Sequence, residues 1–133
     1  MKTAIARDEL RPAIHLIDAE CDTLYALALG AEREAATLLL GELDRADVHP
    51  AEALPPDTVT MHSRVEFVDK ESGTARSVTL VYPGEADITE GKLSVLSHVG
   101  AGLIGMRVGR TIDWPGRDGA MHRLHVVGVH RPA

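Results

Sequence analysis

Seven histidines in 133 residues are many, and they are the first place to look for metal or acid–base chemistry. His122, His125 and His130 fall in one stretch with strand character. Simple alternation sends His122 and His130 to one face and His125 to the other. No cysteine accompanies them and no H-x-x-x-H pattern falls on a helix, so a zinc set is missing and the histidines read as structural. Ser94 and Ser97 lie near His98, but there is no G-x-S-x-G elbow to present a nucleophile. Cys21 sits on the apolar side of an expected helix, where a small buried hydrophobe is the fitting role. Gly100-Ala101-Gly102 resembles a phosphate loop only loosely, because no G-x-x-x-x-G-K-[ST] occurs. The residue types therefore point away from an enzyme, and toward no cofactor and no metal.

Acids are the remaining candidates. Glu32 and Glu34, with Arg33 between them, fall at an expected hairpin tip, and Asp18, Glu20 and Asp22 fall at its base. They could hold Mg²⁺ or meet a basic partner, as against forming a solvated surface whose acids suit a helix N-terminus. On one helix Glu32 and Glu34 would stand about 200° apart, so they would not converge on one ion.

Composition narrows the class. The chain is 44% hydrophobic and 26% charged with a formal net charge of −6, an ordinary globular balance. No apolar run reaches the roughly 18 residues a membrane span needs, and MKTAIARDELRP has no apolar core for a secretory signal. One cysteine cannot make an internal disulfide, which suits a reducing cytoplasm. Four aromatics (Tyr25, Phe67, Tyr82 and Trp114) are too few for a base-stacking surface. Residues 1–56 carry five Lys/Arg against eleven Asp/Glu, whereas residues 57–133 carry nine of each. Such asymmetry suggests two parts with different roles.

The elements that must position these residues follow from period and punctuation. Residues 1–17 read as an irregular or extended arm, with Pro12 against a long helix. Asp18 is placed as an N-cap, and Cys21, Leu24, Tyr25 and Ala28 recur at helical spacing. Past Gly30 a second helix is expected from near Ala31, with Ala35, Leu38, Leu39, Leu43 and Ala46 as its stripe, ending before His49-Pro50. So short a turn makes the pair (18–49) an antiparallel hairpin about 18–22 Å long, which must lean on the rest of the chain. PAEALPPD, residues 50–57, reads as a linker into a final domain, 58–133. There the period becomes two: a strand over Val59–Phe67, a turn at Glu71–Thr74 and a strand over Arg76–Tyr82. Ser97 can cap a short helix closed by Gly105. Thr111–Trp114 and His122–His130 form a second hairpin about Pro115–Gly119. The class is α+β: a short helical hairpin, or coiled coil, before a mostly antiparallel sheet carrying one short helix.

Specific segments carry a family likeness. They are Val59-Thr60-Met61-x-Ser63-x-Val65, Thr79–Pro83, Gly91–Ser97, Val99–Gly105 and Val108-Gly109. This series resembles the C-terminal domain of the Gre transcript-cleavage factors. Arg11-Pro12, Asp18-Ala19-Glu20, Glu42–Ala46 and Leu54-Pro55-x-Asp57 extend the likeness, over about residues 11–131, to the Gre-like group named regulators of nucleoside diphosphate kinase. The family's S-P-x-G stretch reads Ser97-His98-Val99-Gly100 here, and the acid that usually precedes that proline by two is matched by Leu96.

The resemblance implies an FKBP-like C-terminal fold and a cytoplasmic transcription regulator that binds RNA polymerase. Docking would be at the β′ rim of the secondary channel, through Asp87, Ser97, His98, Val99 and Gly100. Such a protein would compete with Gre factors without stimulating transcript cleavage, and would affect nucleoside diphosphate kinase indirectly. No direct sequence-specific contact with nucleic acid is expected. Two alternatives remain at this point: a module acting directly on nucleoside diphosphate kinase, and a prolyl isomerase of the FKBP type. The second rests on fold alone, and fold does not carry function.

Overall fold

A computed structural model describes residues 11–132; the first ten residues of the expected arm lie outside the described residues. Among the described residues, β1 (His15–Ile17) leads into α1 (Asp18–Leu29) and α2 (Glu34–Arg45), a hairpin-like pair followed by β2 (Asp47–His49). The sheet then forms from β3 (Arg64–Asp69), β4 (Thr74–Val81), β5 (Lys92–Ser94), β6 (Thr111–Pro115) and β7 (Met121–His130), with α3 (His98–Leu103) between β5 and β6. Strand order is β5-β4-β3-β7-β6. Within this five-stranded sheet all pairings are antiparallel except β4 with β5. The α+β expectation holds.

Both hairpin helices have 12 residues, and they differ from expectation at their ends. Asp18 is the first residue of α1 rather than its cap. The second helix starts at Glu34, not near Ala31, because Arg33 is extended at φ −153° and serves as the N-cap. Glu32 therefore lies outside the helix, and an angular separation from Glu34 on one helix does not apply. The helix stops at Arg45 because residues 47–49 are taken by a parallel pairing with β1. Across that ribbon His15 Nδ1 and His49 Nε2 lie 3.0 Å apart.

The expected strand over Val59–Phe67 begins only at Arg64. Before it, Thr58 to Met61 are all buried, so there is no alternation. The Thr60 amide donates to Ser63 Oγ at 3.0 Å, the two hydroxyls stand 2.8 Å apart, and His62 has φ +67°. These local side-chain bonds close a turn in place of a ladder. Segment 50–57 contains a 3-10 turn over Ala51–Ala53 and ends on the Asp57–Arg107 ion pair.

Helices and sheet share one core. Ile14, Leu16, Leu24, Leu39 and Leu43 belong to the same buried cluster as Val65, Phe67, Leu103, Trp114 and Val126. Pairs of 12-residue helices are marginal alone. Here α2 packs on α3 as well as on α1.

Glu42, only 1% exposed, is the deepest charge in this junction. It accepts from Arg11 Nη1 at 2.9 Å and from Arg45 Nε and Nη2 at 2.9 and 2.7 Å. Arg45 also donates to the Pro12 carbonyl, and the Arg11 guanidinium lies 4.9 Å from the Trp114 ring centroid. Removing one partner of a buried pair leaves uncompensated charge, at a cost of about 3–5 kcal/mol. Glu42→Ala is therefore expected to lower stability by about that amount in urea unfolding, against about 0.5 kcal/mol or less for exposed Glu52→Ala. Equal midpoints for the two variants would refute the role given to Glu42.

Candidate functional site

The site grows from α3 and the segment before it. Ser97 Oγ accepts from the Gly100 amide at 3.0 Å and donates to the Ser94 carbonyl at 2.6 Å, which caps the helix and turns the chain. A Cβ on Gly100 would stand 2.1 Å from the Ser94 oxygen, so only glycine fits. His98 is held from two directions. Its carbonyl accepts from Trp114 Nε1 at 2.6 Å, and its ring Nε2 lies 2.8 Å from Glu34 Oε1. A Cβ on Gly102 would come within 2.9 Å of the Trp114 ring, which explains how α3 sits flat on that indole.

Between α3 and the sheet lies an open groove of about 510 Å³. Its floor is Phe67, Trp114 and Leu124; Leu93 and Val99 form one side, and Ile88 stands at the mouth, 65% exposed. Ser97 and His98 line it too. Of the residues singled out in the sequence, the structure brings Ser97, His98 and Val99 to this groove and joins Glu34 to His98. Glu32 and Arg33 are exposed and do not converge with Glu34 on a common point. Asp87 organises the preceding loop by accepting from the Thr89 amide at 3.1 Å and its hydroxyl at 2.6 Å; the Thr89 bonds hold its carboxyl below the usual aspartate range. At the hairpin base, Glu20 turns inward to accept from the Met61 amide, and burial pushes its carboxyl up.

At the far end of the groove His122 lies between two carboxylates, with Nδ1 2.8 Å from Asp69 Oδ2 and Nε2 3.1 Å from Asp118 Oδ1. The expected sharing of a face by His122 and His130 fails. Glu66 pairs with Gly128 while Phe67 pairs with Val126, so Val127 is an extra residue and the parity flips beyond it. His130 instead meets Glu66 Oε1 at 3.0 Å, and His125 bonds to Thr111 on the neighbouring strand. Among the described residues no three His, Cys, Asp or Glu side chains form a metal-holding group. None of their helices is long and apolar enough to cross a membrane.

Sequence reading missed the floor residues as a site, and missed Arg76 and Arg117 at its rim. The alternation of Phe67, Trp114 and Leu124 marks them as inward-facing. It does not say that α3 leaves part of that face open.

The clamp has a pH signature. Hydrogen bonds to Asp118 and then Asp69 raise His122 above its ordinary 6.5, so its stabilising effect is full below 6.5 and is lost as pH rises through the raised value. The bond to His122 lowers Asp118 from 3.8. For Asp69, burial works upward, but His122 and the amides of Glu71 and Ser72 outweigh it and also leave it below 3.8. Both carboxylates contribute above 3.8 and lose that contribution as pH falls through their lowered values. His122→Gln is expected to lower the Tm most between about pH 4 and 6.5, with the gap from the parent closing by about pH 9. A gap that widens with pH in thermal scans would contradict the clamp.

Three comparisons bear on what the groove belongs to. The family description "Transcription elongation factor, GreA/GreB, C-term" matches residues 54–131. The chain is 41% identical over 120 residues to "Regulator of nucleoside diphosphate kinase" of Escherichia coli K12, covering 88% of each. It is 32% identical over 124 residues to "Transcription elongation factor GreA" of Acidiphilium cryptum, covering 85% of this chain and 79% of that one. A solved structure of "Prokaryotic transcription elongation factor GreA/GreB" from Nitrosomonas europaea superposes with TM-score 0.72 at 34% identity, over 91% of this chain and 100% of the other.

Proposed function

Because this chain belongs to the GreA/GreB transcription elongation factor family, we propose that it is a transcription regulator that binds RNA polymerase at the β′ rim of the secondary channel and competes there with Gre factors without stimulating transcript cleavage. The reading treats α1 and α2 as a short antiparallel coiled-coil hairpin and the sheet with α3 as an FKBP-like unit. The groove beside Ser97–Gly100 and the loop at Asp87 form the docking face. The acidic hairpin meets the basic entrance of the channel, and an effect on nucleoside diphosphate kinase is indirect, through transcription. The protein is not an enzyme in this reading and acts in the cytoplasm.

One observation carries it. The tip acid Glu34 is turned onto His98 at 2.8 Å, and two 12-residue helices packed on α3 reach only about 18 Å. Hard-cation chemistry needs converging oxygen ligands delivered to the reacting centre. A tip engaged with its own domain on so short a support does not supply that.

Backtracked elongation complexes test the proposal. With this protein alone no shortened RNA is expected; with a Gre factor present, cleavage should slow as this protein is added. The concentration needed should rise about tenfold between about 50 and 300 mM salt, because exposed complementary charges are screened. Shortened RNA in its presence alone, or no effect on the Gre factor at low salt, would defeat the reading.

A further inference from the structure

We infer that the groove beneath α3 takes a protein segment that presents an apolar side chain flanked by carboxylates. The inference rests on the reading of this face as the docking face and adds the chemistry of what docks. The floor demands the apolar part. Phe67, Trp114 and Leu124 close it from below, Leu93 and Val99 are half-buried at its side, and Ile88 is left 65% exposed at the mouth. An exposed branched side chain beside two half-buried apolar ones, over a packed apolar floor, is surface that a partner's side chain would cover.

The charges around the mouth set the sign of the flanks. Asp69 and Asp118 are both engaged by His122, and Glu34 by His98. Arg76 and Arg117 also border the groove, both are exposed, and neither has an ionic partner among the described residues. Arg76 is set with its guanidinium 5.9 Å from the Phe67 ring centroid, at the edge of the apolar floor. These acids thus have hydrogen-bond partners within the fold, whereas the two exposed guanidiniums at the rim have no ionic partner among the described residues, and such planar forks match carboxylates with paired hydrogen bonds. A nucleic acid fits less well. Trp114 and Phe67 are 1% and 2% exposed and offer no free ring face for a base, and the floor is otherwise aliphatic.

The test uses the isolated full chain and labelled peptides of one length: leucine and phenylalanine flanked by Asp and Glu, the same centre flanked by Lys and Arg, and the acidic flanks around a Gly-Ser centre. A single-stranded oligonucleotide is the fourth probe. Binding is read by anisotropy and by emission of Trp114, the one tryptophan in the sequence. The acidic–apolar peptide is expected to bind about tenfold or more tightly than either other peptide or the oligonucleotide, and to weaken with salt. Arg76→Glu with Arg117→Glu should remove that preference and favour the basic peptide, and Ile88→Ser should weaken both apolar peptides. These side chains are exposed, and circular dichroism at matched temperature confirms that the variants fold. Equal or tighter binding of the basic peptide or the oligonucleotide, no binding by any peptide, or no change in the arginine variant would overturn the inference. Failure here with intact competition against a Gre factor removes the docking chemistry alone. Loss of competition with the peptide preference intact removes the polymerase reading instead.

Discussion

Glu42 lies where its carboxylate has almost no water, and a lone charge there would be very costly. Two guanidiniums answer it from opposite directions in sequence, Arg45 one turn further along the same helix and Arg11 from the chain ahead of β1. Because Arg11 also lies against the Trp114 ring, and Trp114 holds the His98 carbonyl, one buried carboxylate fixes the relation between the helical pair, the arm and the groove. Apolar packing supplies most of the stability of such a junction. The ionic triad adds a condition that apolar contacts lack: separating either guanidinium from Glu42 leaves buried charge less compensated.

From that fixed relation the character of the site follows. Trp114 is at once core, hydrogen-bond donor to α3 and floor of the groove, so the groove cannot change shape without disturbing the junction. Ser97 and Gly100 shape the rim through backbone bonds, and the clamp on His122 ties the β3–β4 turn to the β6–β7 turn at the opposite end. The groove thus has a fixed apolar floor, the His122 clamp at one end, and Arg76 and Arg117 at its rim.

Several elements were legible in the sequence because their signals are local. Pro115-Gly116-Arg117-Asp118-Gly119 between alternating segments marks the last hairpin, and Ser97 three residues before Gly100 marks the cap of α3. The failures were non-local. β1 and β2 have three residues each and pair across some thirty positions, so neither shows a pattern alone. Thr60 and Ser63 mimic the polar half of an alternating strand while bonding to each other. The extra residue at Val127 reverses the facing of everything after it, and alternation carries no mark of a bulge. At the site, Ser97, His98 and Val99 were legible through family likeness. Which charges at the groove are left without a partner was not, since His122 and His98 reach Asp69 and Glu34, 53 and 64 residues distant in sequence.

The strand order has a consequence for synthesis on the ribosome. β7, the last of these elements to be made, lies inside the sheet between β3 and β6. Until it emerges, β3 has one open edge and Phe67 lacks part of its cover, and the helices wait on a core whose second half does not yet exist. Local helix formation can proceed early, but closure over such long sequence separations comes late and leaves apolar surface exposed meanwhile. Completion of this fold therefore waits on one late strand insertion, which joins hairpin, groove and sheet together.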